Sequence, residues 1–353
     1  MNFNLKNKRV WWIEPMPDVY LEGKEILEKE GINVEIGRLQ TEADKPYSED
    51  EIIDKGKDFD AILLIAREKL TEKIFANLPK LKIVVKAGVG VDNIDIESAT
   101  KYGVIVANTP VPEDYIGVAE GTVARLLAIA KKILICDRNV KENKWLSNYD
   151  KLRGVYIRGK TIGILGFGRI GSYVAKLMKP WGVKIIVYDP YVSREKELLL
   201  DVNMVDFDTL IKESDFLCIH AILTPETKHI INENVLKKMK HNAYIINTAR
   251  GAIIDEEALA KALKEGWIAG AALDVFEKEP PINSPLLSPE IYDKLLLSPH
   301  VSGLTPEMER ALTLAQVNCC IKALKGQVPE TTLNPQAIKK WKEKFKDTED
   351  NFL

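Results

Sequence analysis

The chain has 353 residues, with 50 Lys and Arg against 52 Asp and Glu and a net charge of −2. Its length predicts about two domains of roughly 150 residues each, and the charge balance offers no basic surface for a nucleic-acid backbone. The opening MNFNLKNKRVWWIEP lacks the features of a signal peptide and no run of roughly 18 apolar residues follows, so a cytoplasmic protein with no membrane contact and a small-molecule substrate is expected.

In chain order, RVWWI, INVEI, DAILLI, KIVVK and VIVAN read as strands within the first 110 residues. They are aliphatic or β-branched without interruption, which predicts a parallel sheet covered on both faces. Amphipathic segments lie between them: Ser48 to Glu51 forms a capping box, and Gly31, Gly56 and Gly103 stand as C-caps. Residues 112–135 predict one long helix, opened by Pro112 and acidic residues that suit the positive end of a helix dipole. A polar stretch at 137–160 follows. A second series then runs TIGIL, KIIVY, FLCI, AYIIN, IAGAAL and LLLS, ahead of a helix at roughly 305–326 and a lysine-rich end, KKWKEKFKDTEDNFL, expected to be solvated. The cysteines Cys136, Cys218, Cys319 and Cys320 read as buried thiols. Neither they nor His220, His229, His241 and His300 have metal-ligand spacing, so no metal is expected, and no GxSxG elbow points to a serine hydrolase.

Within the second series, ILGFGRIGSYVAKLM places Gly166, Gly168 and Gly171 between an apolar strand and a helix. Asp189 closes the next strand. Glycines at this spacing give a tight turn, close backbone approach to a pyrophosphate and close helix–strand packing, while the acid suits ribose hydroxyls. A dinucleotide is expected. A carboxylate at 189 would repel the 2′-phosphate of NADP, which makes NAD the expected cofactor. Arg194 reads as the start of the following helix.

Open parallel sheets bind ligands beyond the carboxyl ends of their strands. Asp189, His220, Arg250, Asp274 and His300 each follow an apolar run, so all five are expected on one edge. Reduction of a carbonyl needs a cation to polarise it, an acid to protonate the new alkoxide and an anion to keep that acid charged. Arg250 and His300 suit the first two roles, and Glu279 in EKEPP is the available anion.

These motifs resemble those of the D-isomer-specific 2-hydroxyacid dehydrogenase family over residues 50 to 335. The matching stretches are AGVGVDNID (87–95), RGKTIGILGFGRIG (158–171), LTPET (223–227), NTARG (247–251), GAALDVFEKEP (270–280) and LSPH (297–300). The resemblance implies an α/β fold of two Rossmann-like domains with parallel sheets, the NAD-binding domain (111–301) inserted into the substrate-binding domain (1–110 and 302–353). It implies a cleft between domains and a homodimer. Its catalytic residues correspond to Arg250, Glu279 and His300. The implied cofactor contacts are Gly166, Gly168, Arg169, Ile170, Gly171, Asp189, Pro190, His220, Thr224, Thr248, Ala249 and the nicotinamide-side Asp274. The backbone of Val89 and Gly90 corresponds to the clamp for a substrate carboxylate, which Arg250 also grips.

For the substrate, Arg67 matches the position of a substrate-contacting arginine in the phosphoglycerate dehydrogenase branch, and Lys86 lies just before the carboxylate loop. Two cations there could hold a remote phosphate, the alternative being an ordinary salt-bridged surface arginine, so 3-phosphoglycerate is the first choice and glyoxylate or hydroxypyruvate reduction the alternative. A reading of another class is an NADH-sensing, corepressor-like binding protein. Three features depart from the family pattern: Arg125 on an apolar helix face, Ile222 in place of proline, and VSGLTPE after His300.

Overall fold

The computed structural model describes residues 5–39, 41, 46–192 and 200–346, which leaves Arg194 and the extreme C-terminus outside the described residues. The chain forms two compact units, Met1–Asp114 with Thr305–Leu353, and Tyr115–Leu304. In the first, β1 (Arg9–Trp12), β2 (Asn33–Ile36), β3 (Ala61–Leu64), β4 (Ile83–Ala87) and β5 (Ile105–Thr109) form a sheet in the order β2-β1-β3-β4-β5. All four pairings are parallel. Successive strand residues face opposite sides, so Trp11 packs with Ile62, Val84 and Val106 on one face while Trp12 packs with Leu63, Val85 and Ala107 on the other. Helices α1 (Tyr20–Lys29), α2 (Glu49–Gly56), α3 (Glu72–Asn77) and α4 (Ile96–Lys101) connect the strands. The Ser48–Glu51 capping box forms as expected. Gly31 and Gly103 take positive φ, but Gly56 ends α2 itself and lies under Leu78, where a Cβ would come within 2.9 Å, so its role is packing and not capping.

The second unit opens with α5 (Pro112–Ala130), α6 (Ile133–Lys141) and α7 (Tyr149–Leu152). The single helix expected over 112–135 therefore breaks, because Lys132 adopts a left-handed φ of 56° that an α-helix cannot continue through. Strands β6 (Thr161–Leu165), β7 (Lys184–Tyr188), β8 (Asn203–Met204), β9 (Phe216–Ile219), β10 (Tyr244–Asn247), β11 (Gly270–Leu273) and β12 (Leu295–Leu297) alternate with α8 (Arg169–Met178), α9 (Phe207–Glu213), α10 (Glu233–Leu236) and α11 (Glu256–Glu265). Their sheet runs β12-β11-β10-β9-β6-β7-β8. The order reverses between β6 and β9, the point where doubly wound sheets open a crevice. Two-residue β8, at the edge, is too short to leave a periodic signal and was not among the expected strands.

The chain then returns to the first unit through α12 (Pro306–Leu324) and α13 (Ile338–Lys346). Gln316 on α12 donates to the carbonyls of Leu64 and Val85, and Asn334 accepts from the amide of Val106 and donates to the carbonyl of Val104. The lysine-rich end is not simply solvated. Trp341 and Phe345, one helical turn apart on α13, are buried against Val85 and Leu324; between them Lys342 faces outward, while Lys344 is partly buried and its Nζ donates to the Leu81 carbonyl at 2.7 Å. Cys218 and Cys320 are buried as expected, whereas Cys136 and Cys319 are only half-buried. Among the described residues no helix is long and apolar enough to cross a membrane.

Candidate active site

The turn from β6 into α8 has three glycines in three different surroundings. Gly166 has φ 90° and its Cβ position lies 2.5 Å from the Ala221 amide nitrogen, so no side chain is tolerated there. A Cβ on Gly171 would lie 2.3 Å from the Gly166 carbonyl oxygen, which fixes how closely α8 meets its strand. Gly168 is the reverse case: it is exposed, and a Cβ would meet nothing within 4 Å among the described residues. It is also the N-cap of α8, where no side-chain cap bond is made, and Arg169 and Ile170 open the helix. At the end of β7, ahead of exposed Pro190, the Asp189 carboxylate accepts from the amides of Phe167 (2.7 Å) and Tyr191 (2.9 Å). That tethers the acid to the glycine turn and leaves lone pairs on both oxygens.

His220 follows β9. Among the described residues neither ring nitrogen has a hydrogen-bond partner, and burial lowers its pKa to about 3, so the imidazole is neutral at working pH. Beyond it, exposed Ile222 lends its carbonyl to Thr227, whose hydroxyl also accepts from the Thr224 amide. At the end of β10, Asn247 is fully buried. Its side chain accepts from the Ala249 amide at 3.0 Å and donates to the Arg250 carbonyl at 2.9 Å, shaping the turn that presents Arg250. The Thr248 hydroxyl is paired with Thr122 at 2.8 Å, and the Arg250 guanidinium donates to the Ala249 carbonyl at 2.7 Å. Asn247 was readable only as part of NTARG.

Beyond β12, His300 is exposed, and its Nδ1 lies 2.8 Å from Glu279 Oε2. The other Glu279 oxygen accepts from the Phe276 amide at 3.1 Å, so the acid is anchored while it holds the imidazole. His300 itself has φ 56°, an uncommon conformation for a residue with a side chain. Asp274 maintains it. The Asp274 carbonyl accepts from the His300 amide (2.8 Å), while Oδ1 accepts from the Val301 amide (3.0 Å) and Oδ2 from the Ser302 amide (2.8 Å).

Arg125 accounts for the polar residue on the apolar face of α5. Its Nη2 donates to Asp274 Oδ1 at 2.7 Å, and Nε and Nη2 both donate to the Ser298 hydroxyl, which in turn donates to Asp274 Oδ1 at 2.6 Å. Burial of Asp274 pushes its pKa up, but the hydrogen bonds from Ser298 and the 301–302 segment outweigh this and lower it, so the group is a carboxylate. Gly117 and Gly121 precede Arg125 at four-residue spacing on the same face. A Cβ on either would lie 3.0 Å from the Gly303 carbonyl oxygen or 2.3 Å from that of Ser302, so α5 runs flush against the segment after His300. This contact explains the two glycines of α5, and Thr305–Pro306 supplies the N-cap and first turn of α12, whereas nothing in the structure explains Ser302–Gly303 in VSGLTPE. The partners of Arg125 lie too far along the chain for spacing to reveal them.

In the first unit, the loop after β4 starts at Gly88 (φ 82°), and Val89 is exposed. Among the described residues the amides of Val89 and Gly90 make no hydrogen bond, while Asn108 holds the Val89 carbonyl at 2.9 Å. Lys86 is buried, with Nζ donating to the Ala87 carbonyl at 2.6 Å. The Arg67 guanidinium is half-buried and donates to Glu68 (3.2 Å) and to the carbonyls of Arg38 and Leu39; Glu14, which it approaches to 4.0 Å, accepts from the amides of residues 65–67. Neither cation has the exposed, outward head expected of a phosphate clamp.

A family profile described as D-isomer specific 2-hydroxyacid dehydrogenase, NAD binding domain, matches residues 123–302. The chain is also 42% identical over 301 residues to a glyoxylate reductase of Thermofilum pendens, an alignment covering 84% of this chain and 87% of that one. It belongs to the D-isomer specific 2-hydroxyacid dehydrogenases. A D-3-phosphoglycerate dehydrogenase of Methanocaldococcus jannaschii is 41% identical over 288 residues, which span 81% of this chain and 54% of that relative. Among solved structures, the NAD-dependent formate dehydrogenase of Staphylococcus aureus in complex with NAD aligns with a TM-score of 0.77 and 28% identity, covering 89% of this chain and 95% of that one. This dehydrogenase is an NAD-dependent oxidoreductase acting on CH–OH donors. The glycine turn fits the cofactor: it is closed to side chains at Gly166 and Gly171 and open at Gly168, where a pyrophosphate needs access to backbone.

Proposed function

We propose that this dehydrogenase interconverts a small, unphosphorylated 2-oxo acid of the glyoxylate or hydroxypyruvate class and the corresponding D-2-hydroxy acid. The observation that carries the chemistry is the exposed His300–Glu279 pair at 2.8 Å. With Nδ1 directed to the carboxylate, Nε2 is the nitrogen left to exchange a proton with substrate oxygen, and Glu279 stabilises the imidazolium. Arg250 binds the carboxylate and polarises the carbonyl through its fork of donors. In the first unit, the unbonded amides of Val89 and Gly90 are the proposed backbone donors to the carboxylate. NADH, when bound, supplies the hydride. The glycine turn with Arg169 and Ile170, Asp189 with Pro190, His220, Thr224, the 248–249 backbone and Asp274 are the proposed cofactor contacts, and Asp189 selects NAD over NADP by charge.

The choice of an unphosphorylated substrate rests on Arg67, whose guanidinium is engaged with Glu68 and two backbone carbonyls, and on buried Lys86. It replaces 3-phosphoglycerate, the first choice from sequence. NADH oxidation against glyoxylate, hydroxypyruvate, pyruvate and 3-phosphohydroxypyruvate tests it. We expect kcat/KM for hydroxypyruvate or glyoxylate to exceed that for the phosphorylated acid by on the order of tenfold or more. The opposite order would restore the phosphoglycerate reading, and silence on all four with NADH binding retained would favour the sensor. The reading includes a cytoplasmic homodimer: Ile133, Leu134, Val140, Trp145, Leu146 and Tyr149 are exposed along one stretch that a second copy would cover. Light scattering on the purified chain at twice the monomer mass would support the dimer.

A further inference from the structure

The direction in which a dinucleotide lies on the second sheet follows from its strand order. The glycine turn is on β6, and Asp189, the ribose-binding candidate, is on β7 to one side; the other end of the cofactor must therefore extend across β9, β10 and β11. Asp274 follows β11, between the strand ends that carry Arg250 and His300. It is a buried carboxylate, and Arg125 reaches it from α5 at 2.7 Å with only 12% of the arginine side chain exposed. His220, the remaining titratable group on the intervening strand ends, is neutral through burial.

The nicotinamide ring is positively charged in NAD and uncharged in NADH. A lone buried carboxylate beside it would favour the oxidised cofactor, and a carboxylate paired with a guanidinium would not. We propose that Arg125 neutralises Asp274 and thereby sets the relative affinity of the site for NADH and NAD, removing a bias toward the oxidised form. This inference rests on the reading of Asp274 as the nicotinamide-side carboxylate. Arg125 acts through Asp274, so it is a positioning and charge-setting residue, not one that touches substrate. Arg250 contributes a constant background, common to every variant below.

The test is fluorescence titration of the full chain with NAD and with NADH, without substrate, for wild type, Arg125→Met, Asp274→Asn and the double variant. The quantity read is the ratio Kd(NAD)/Kd(NADH). Arg125→Met is expected to lower it by on the order of tenfold, Asp274→Asn to raise it, and the double variant, which removes both charges, to return it to within about threefold of wild type. A role confined to holding the fold would weaken both cofactors in parallel and leave the ratio unchanged, which would overturn the proposal. If Asp274→Asn moves the ratio and Arg125→Met does not, the Arg125 inference fails while the Asp274 reading stands; if neither moves it, the Asp274 reading fails first. Should Arg125→Met not fold, the remaining pair decides: a double variant matching wild type supports the proposal, and one that tracks Asp274→Asn refutes it.

Discussion

At the carboxyl ends of the five-stranded sheet the charged side chains are held by their own unit: Glu14 accepts three backbone amides, Arg67 donates to Glu68 and two carbonyls, and Lys86 donates to the neighbouring carbonyl. At the same ends of the seven-stranded sheet, His300 and Glu279 form an exposed pair and, among the described residues, His220 has two ring nitrogens without partners and the helix after Gly168 starts without a side-chain cap. Two sheets of one architecture thus use strand-end residues differently. Charges in the first set its loops, while polar groups in the second retain capacity for a ligand. Proximity of a cation to a strand end is therefore weak evidence for binding unless its hydrogen-bonding capacity is also counted.

Four measurements would sharpen or break this contrast. His300→Ala should lower kcat by on the order of a hundredfold or more while changing unfolding free energy by no more than about 0.5 kcal/mol, because the side chain is exposed; steady-state kinetics and denaturant unfolding read the two effects. Arg67→Ala should do the reverse. Removing the cation from buried Glu68 and Glu14 should cost about 3 kcal/mol of stability with KM for hydroxypyruvate nearly unchanged, and a large rise in KM without a stability loss would break the comparison. His220→Gln should change stability in a pH-dependent way. A neutral buried histidine with its pKa lowered to about 3 binds fewer protons than the unfolded chain once the pH drops below the usual histidine value, so wild type loses stability as pH falls through that window. The variant should escape about 2 kcal/mol of this loss at pH 5 and show none of the gain at pH 7.5, as urea unfolding at the two pH values would report. Glu279→Gln should lower kcat for reduction by about tenfold with KM for NADH nearly unchanged, since the imidazole loses the anion that holds its Nδ1; an unchanged kcat would separate Glu279 from the proton transfer.

The sequence exposes those parts of the molecule whose signal is local. Aliphatic strands such as DAILLI and KIVVK, the Ser48–Glu51 cap and the Gly166–Gly171 turn each carry their cause within a few residues. Asp189 is legible because the strand between it and the turn has a predictable length. The break at Lys132 is hidden because a left-handed lysine leaves no compositional mark, and Trp341 with Phe345 is masked by the lysines around it. Asn247 looks like an ordinary strand-end polar residue until its two hydrogen bonds are seen. Arg125 and Asp274 are separated by 149 positions, and nothing but the packing of α5 on the 298–303 segment reveals that they are partners.

The split of the first unit between the two ends of the chain has a consequence for biosynthesis. Residues 115–304 form one uninterrupted stretch and can complete their contacts as soon as they leave the ribosome. The earlier-made sheet must wait, since Gln316, Asn334 and Trp341, which cover it and satisfy its backbone, are translated last. The part synthesised first is thus finished second, with the face of its sheet that Val317, Cys320 and Trp341 cover left open in the interval.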